Sequence, residues 1–238
     1  CAAAPMVMEE APSARLVKTS GAQTYNDSAT LGADATLTTT SNGSLTFSGS
    51  VNASGKTLTV DANGNGNFTA TNSANNFATV NVTNANDVSI TDTNALTLGA
   101  LAIGRDLTVN STGALNLGQG SIGRNLVANS NGGAITQDTT SGNYITVGGT
   151  ASITAGNNSI TLNQSGNNFT GAVSLSNSGT NNASVTDTDA LTLGTLAIGQ
   201  DLTVNSTGAL NLGQGSIGRN LVANSNGGAI TQDTTSGN

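Results

Sequence analysis

Apolar residues along this chain come in pairs with one residue between them, as in Leu96 and Leu98, Leu101 and Ile103, and Leu107 and Val109. A period of two puts both members of a pair on one side of an extended chain, so each pair predicts a short β-strand with one buried face. The pattern stops at Gly99, at Gly104 and at the run Asn110 to Gly113. Gly and Asn accept the positive φ that tight corners need. Three strands and three corners fill one unit, and ALTLGALAIGRDLTVNSTG at 95–113 aligns with ALNLGQGSIGRNLVANSNG at 114–132. Strands this short cannot sustain a hairpin sheet, but a chain that turns the same way at every corner comes back above its start. The expected fold is therefore all-β, a single-stranded parallel β-helix (a β-solenoid) with coils of about 19–23 residues and three short strands each.

Stacking such coils puts Leu96 under Leu115, Leu98 under Leu117, Ile103 under Ile122 and Leu107 under Leu126. Together with Val109 these residues form the expected inward ladder, while Thr97, Thr108 and Asn116 are expected to face outward. At about 10 or 11 coils and a strand spacing of roughly 4.8 Å, the rod would be roughly 50 Å long.

A longer period overlies the short one. Residues 91–143 recur as 186–238, differing only at Asn94 and Asp189, Ala100 and Thr195, and Arg105 and Gln200, which is a repeat of 95 residues. Five units of 19 would account for it. The match continues loosely upstream, with NNF at 75–77 echoed at 167–169, and the second unit begins near Tyr144. Residues 1–20 differ sharply in composition, holding the only Cys, both Pro and both Met. They read as a linker, a pro-segment or a cloning remnant, and 21–238 as the repeat array. An alternative for the first segment is the start of a lipoprotein acylated at Cys1, although no lipobox precedes that residue in the chain.

Composition narrows the function classes. Only 3% of residues are aromatic and 8% charged, and the apolar 35% is mostly Ala, Leu, Val and Ile among Asn, Ser, Thr and Gly. A core one or two side chains wide needs nothing bulkier. With six basic residues and a net charge of -7, no nucleic-acid partner is expected. No run of 18 apolar residues predicts a transmembrane segment. There is no His and a single Cys, so neither a transition-metal site, an internal disulfide nor a cofactor is expected.

Candidate sites each have a plain structural counterpart. Arg105 and Asp106, with Arg124 and Asn125 one coil on, could form a polar ladder or a sugar-binding edge; the simpler reading is a solvated corner. Asp92, Asp187 and Asp189 could suggest calcium, but the GGxGxD nonapeptides of a calcium β-roll are missing, and turn positions suit them better. An enzyme of the polysaccharide-acting β-helix type would need a singular carboxylate or basic cluster. Near-perfect duplication does not fit that, so no catalytic residue is assigned.

The segments GAQTYNDSATLGADATL at 21–37, VSITDTNALTLGALAIGRDLTV at 88–109 and NSITLNQSGNNFTGAVSLSNSGTNN at 158–182 resemble the repeat arrays of filamentous-haemagglutinin-like exoproteins, the adhesins of two-partner secretion. The resemblance runs through most of the chain after residue 20. It implies a secreted, cell-surface parallel β-helix exported through an outer-membrane transporter, acting in attachment, aggregation or biofilm formation. Host or neighbour-cell glycans or proteins would be its partners, with end-to-end self-association through open coil edges. The expected role is the structural shaft of such an adhesin. The alternatives are a self-assembling amyloid-like fibre subunit and, motivated by Thr-x-Thr triplets at 57–59, 91–93 and 186–188, an ice-binding solenoid.

Overall fold

A computed structural model of the chain describes residues 6–8 and 15–232. They form a β-solenoid of about 11 turns, and no helix occurs among them. Every strand pairing among the described residues is parallel and joins one coil to the next. The reading of Cys1 as a lipidated residue falls outside the described residues.

Three faces run the length of the stack. The first carries eleven strands in succession, from Met6–Met8 through Ala29–Leu31 to Leu202–Asn205 and Leu221–Asn224. The second includes Arg15–Thr19, Ala35–Thr39 and Ile145–Val147, and the third Gln23–Tyr25, Leu45–Phe47, Phe68–Ala70, Val88–Thr91, Leu107–Asn110 and Leu126–Asn129. Arg15–Thr19 precedes the break in composition at residue 20, yet it pairs along its whole length with Ala35–Thr39. The stack therefore begins before residue 21.

The inward ladder is made by in-register pairing. Leu96 sits under Leu115, Ile103 under Ile122 and Leu107 under Leu126. All are buried, as are Leu98, Val109 and Leu117. Thr97 is exposed, and Thr108 and Asn116 are half-buried on the outer side. Each fully buried Leu or Ile contributes about 1.5–3 kcal/mol of transfer free energy. All four Phe residues are in the core; Phe47 stacks on Tyr25 at 4.6 Å and meets Phe68 edge-on at 6.4 Å. The aromatic stack fills the early coils of the third face, where later coils use Val, Ile and Leu.

The strands are less interrupted than the Gly pattern suggests. Leu96–Ile103 is one strand of eight residues that bends through Gly99, and its counterpart Leu191–Ile198 does the same through Gly194. One coil on, Gly118 has φ +63°, and a Cβ there would lie 2.1 Å from the Leu98 carbonyl oxygen. Only glycine fits that corner, because the φ is unfavourable for L side chains and the coil below leaves no room.

Coil length also departs from an even repeat. Along the first face the stacked positions are Leu96, Leu115, Ile135, Ile160 and Ala183, whose numbers differ by 19, 20, 25 and 23 in turn. The coil from Ile135 to Ile160 exceeds the expected range because a loop at residues 138–144 is carried outside the corner. Thus one 95-residue unit does not make five coils. Four coils lead from Leu96 to Ala183, and Leu191, the counterpart of Leu96, lies further along the coil that Ala183 begins.

The buried ladder predicts a sharp contrast between neighbouring positions. Leu107→Asp should cost about 3–5 kcal/mol, because an unpaired carboxylate would be sealed in a core with no partner. Thr108→Asp should cost less than about 1 kcal/mol. Denaturant unfolding followed by far-ultraviolet circular dichroism, on a β-type native spectrum, reads both; equal losses would mean that the strand faces are assigned wrongly.

Candidate functional site

The chemistry-bearing side chains fall into three groups: a charged outer corner, a buried polar corner and the long coil at 138–144. At the charged corner, which lies between the second and third faces in the first copy and between the third and first in the second, each Arg reaches back one coil to an Asp. Arg105 Nε lies 3.7 Å from Asp87 Oδ1, and Arg124 Nε lies 3.9 Å from Asp106 Oδ1. In the second copy Arg219 grips Asp201 with two nitrogens, its Nε donating at 2.8 Å to Oδ1. The fork fits the two carboxylate oxygens, and this hydrogen bond is the main cause that pulls the Asp201 carboxyl down to about 2. Asp106 is also held below the ordinary range, chiefly by the Asn125 backbone N–H, which donates to it at 3.0 Å.

The exchange of Arg105 for Gln200 looks free when residues 91–143 are compared with 186–238. The structure supplies the missing partner. Asp87, which faces Arg105, has Asn182 as its counterpart in the second copy, so acid and base change together and leave an uncharged pair, Asn182 and Gln200. Gln200 instead has its side-chain amide beside Arg219 Nη1, at 3.3 Å. The partner of Arg105 stands at position 87, ahead of the duplicated block that opens at 91; the signal for it was the 18-residue spacing that Asp106 and Arg124 repeat. The pairs are exposed, with the three Arg side chains 47–57% accessible, so their individual contributions are small.

The buried corner is a ladder of polar residues inside the wall. Asn75, Asp92, Ser111 and Ser130 occupy it on successive coils of the first copy, between the third and first faces, and Asn167, Asp187, Ser206 and Ser225 occupy the matching corner of the second copy, between the first and second faces. Asp92 accepts the Phe77 N–H at 2.7 Å and the Asn94 N–H at 3.1 Å. Asp187 likewise accepts from Phe169 and Asp189, each at 2.7 Å. These carboxylates therefore satisfy backbone donors where the ladder is broken by a corner. Burial pushes both carboxyls up, against the lowering effect of those N–H donors. Asp189 accepts from Asn168 Nδ2 at 2.9 Å. No group of three His, Cys, Asp or Glu side chains that could hold a metal occurs among the described residues.

The long coil is the most singular surface. Its base is locked by a reciprocal amide pair, Gln137 with Asn167, each Nδ2 or Nε2 donating at 2.8 Å to the other's oxygen. Asp138 folds the loop by accepting the Thr140 N–H at 2.8 Å and Asn143 Nδ2 at 2.7 Å. Two shallow grooves flank it. One, of about 280 Å³, is lined by Thr97, Asn116, Thr136 and Asp138 among others. The other, of about 350 Å³, runs along Leu101, Gln119, Gly120, Ser121 and Tyr144. Tyr144 is 45% exposed and its ring lies against Gly166, where any Cβ would meet it at 2.7 Å. An aromatic face beside hydroxyls and amides is suited to an uncharged polyhydroxylated ligand. Sequence reasoning passed over Tyr144 as the mere start of the second unit; its rarity, as one of two Tyr, was the available signal.

A family model described as repeats of unknown function (DUF5649) matches residues 85–116, 104–176, 180–211 and 199–238, which together cover well over half of the chain. No curated protein and no solved structure matches the chain significantly.

Two outcomes are expected. The raised Asp92 and Asp187 carboxyls bind protons more tightly in the folded chain. Their effect on stability is therefore most favourable below the ordinary Asp value of 3.8 and is lost as pH rises through the folded value. Asp201, depressed to about 2, acts oppositely, stabilising above about pH 4 and losing that effect as pH falls toward 2. Unfolding midpoints should therefore peak at mildly acidic pH, and Asp92→Asn with Asp187→Asn should flatten the decline on the neutral side; an unchanged slope would contradict the assignment.

The exchanged pair sets the second. Asp87→Asn or Arg105→Gln alone should each cost no more than about 1 kcal/mol, and the double variant should recover part of that loss. A double-mutant cycle with zero coupling would show that the two exchanges are unrelated.

Proposed function

We propose, from the premise that the chain belongs to the family of repeats of unknown function (DUF5649), that it is the shaft of a secreted bacterial surface adhesin. Its resemblance to filamentous-haemagglutinin-like exoproteins suggests export through an outer-membrane transporter of the two-partner type. The observation that carries the reading is the continuity of the stack. The first unit passes into the second through the loop at 138–144 and rejoins the stack at once, where Ile145–Val147 pairs with the coil before it and the coil after it. A chain built this way changes length by whole units without a new fold, which is what a spacer requires.

The surface favours weak, repeated contacts. Outward positions are mostly Thr, Ser and Asn, poor in the Trp, Tyr and Arg that anchor tight interfaces. The Tyr144 groove is the place best suited to a glycan, and a contact there would be weak on its own. The ice-binding alternative loses its support, because the three Thr-x-Thr triplets start or end on three different faces: Thr59 pairs on the second, Thr91 on the third and Thr186 on the first.

The test is made in the parent protein. Deleting one whole 95-residue unit should leave folding and export intact and reduce reach or avidity in a cell-attachment assay. Arg124→Ala should leave attachment near its original level. If Arg124→Ala abolished attachment and the unit deletion did not, a discrete receptor site would replace the spacer as the explanation.

A further inference from the structure

The 95-residue repeat and the turn of the solenoid do not share a period. Leu107 stands on the third face, in the column Leu107, Leu126, Ala151, Val173, Leu193. Its counterpart Leu202 stands on the first face, in the column Leu96, Leu115, Ile135, Ile160, Ala183, Leu202. The same displacement holds elsewhere. Leu101 pairs with Gly120, whose column continues through Ile145 on the second face, whereas its counterpart Leu196 pairs with Leu175 on the third. Each position of the second copy has moved on by one face.

The cause is the two long coils between the copies. The coils from Ile135 to Ile160 and from Ile160 to Ala183 take up what would otherwise be a fifth turn, so one unit advances the chain by four turns and one further face. Local stacking is nonetheless the same in both copies: Val88 lies under Leu107, and their counterparts Ala183 and Leu202 pair in the same register. The rotation comes from coil lengths alone and leaves every coil-to-coil contact of the duplicated block intact.

We infer that the array is a three-fold screw, in which successive units present like surfaces on successive faces and three units, or thirteen turns, restore the first direction. The interaction surface this creates is distributed around the rod. Like outer surfaces, 108–112 on the third face and 203–207 on the first, open in different directions and so fit a partner that meets the rod from several sides, a surrounding mesh of glycan chains. A flat partner laid along one face would touch like surfaces only at every third unit. With a rise of roughly 4.8 Å per coil, those contacts would be about 62 Å apart.

The shaft reading supplies the context, and the two can fail separately: unchanged attachment after unit deletion would sink the shaft and leave the screw untouched. The screw is tested on the full chain with Cys1 replaced by Ser and two spin-labelled cysteines at outward positions. Thr108 and Thr195 should share a face four coils apart, at about 19 Å, and Thr97 and Thr203 a face five coils apart, at about 24 Å. If one unit made five equal coils, both pairs would straddle two faces and both distances would lengthen by roughly 8 Å. Lengthening of both overturns the inference.

A second readout does not depend on cysteine substitution. A nanobody against the identical outer surfaces at 108–112 and 203–207 is a body of roughly 13 Å radius of gyration, too wide for two to sit side by side within a rise of about 24 Å. Two bound per chain, projecting from different sides in electron micrographs, is the expected result. A limit of one, or two projecting in the same direction, counts against the screw.

Discussion

Everything in this molecule depends on the in-register parallel hydrogen bonding of each coil to its neighbours. No strand among the described residues has a sequence-adjacent partner; Leu107–Asn110 is held by Val88–Thr91 below and Leu126–Asn129 above. The backbone of a coil is therefore satisfied only by other coils. That constraint selects the small apolar side chains, since like residues must stack at strand spacing in a narrow core. It also forces glycine at Gly118, where one coil's corner presses on the carbonyl of the coil beneath.

The same constraint explains the polar ladder within the wall. Where strands end at a corner, N–H groups lose their backbone acceptors, and Asn75, Asp92, Asn167 and Asp187 supply them from side chains. Where the corner needs less, Ser111 and Ser206 suffice, each folding back to the glycine carbonyl two residues on at 2.8 and 2.9 Å. The cost is a pair of desolvated carboxylates, and it falls at equivalent positions in the two copies, which marks it as part of the repeat's construction.

Much of the fold was legible in the sequence because apolar and polar residues alternate within the strands and the spacing of 19 is regular from Leu96 to Leu126. The candidate site was far less legible. The link between Asp87 and Arg105 depends on stacking across a coil boundary and on a residue outside the duplicated block. The turn of one face per unit depends on the loop at 138–144, whose polar residues repeat with the 95-residue unit but lie outside the 19-residue apolar alternation. Side-chain alternation reports which way a residue points, but not how much chain a corner consumes. For that reason the short period could be extrapolated to five equal coils when the chain uses four and part of a fifth.

The direction of the inter-coil hydrogen bonds has a mechanical consequence. They run along the rod, so tension applied to its two ends loads them end-on and concentrates on the outermost coil. Such a stack peels coil by coil, and a short coil that rises only about 4.8 Å in the rod releases roughly 65 Å of extended chain. Under load such a stack would lengthen in many small steps at nearly constant force, dissipating work at each one and re-forming by the same in-register contacts when slack returns.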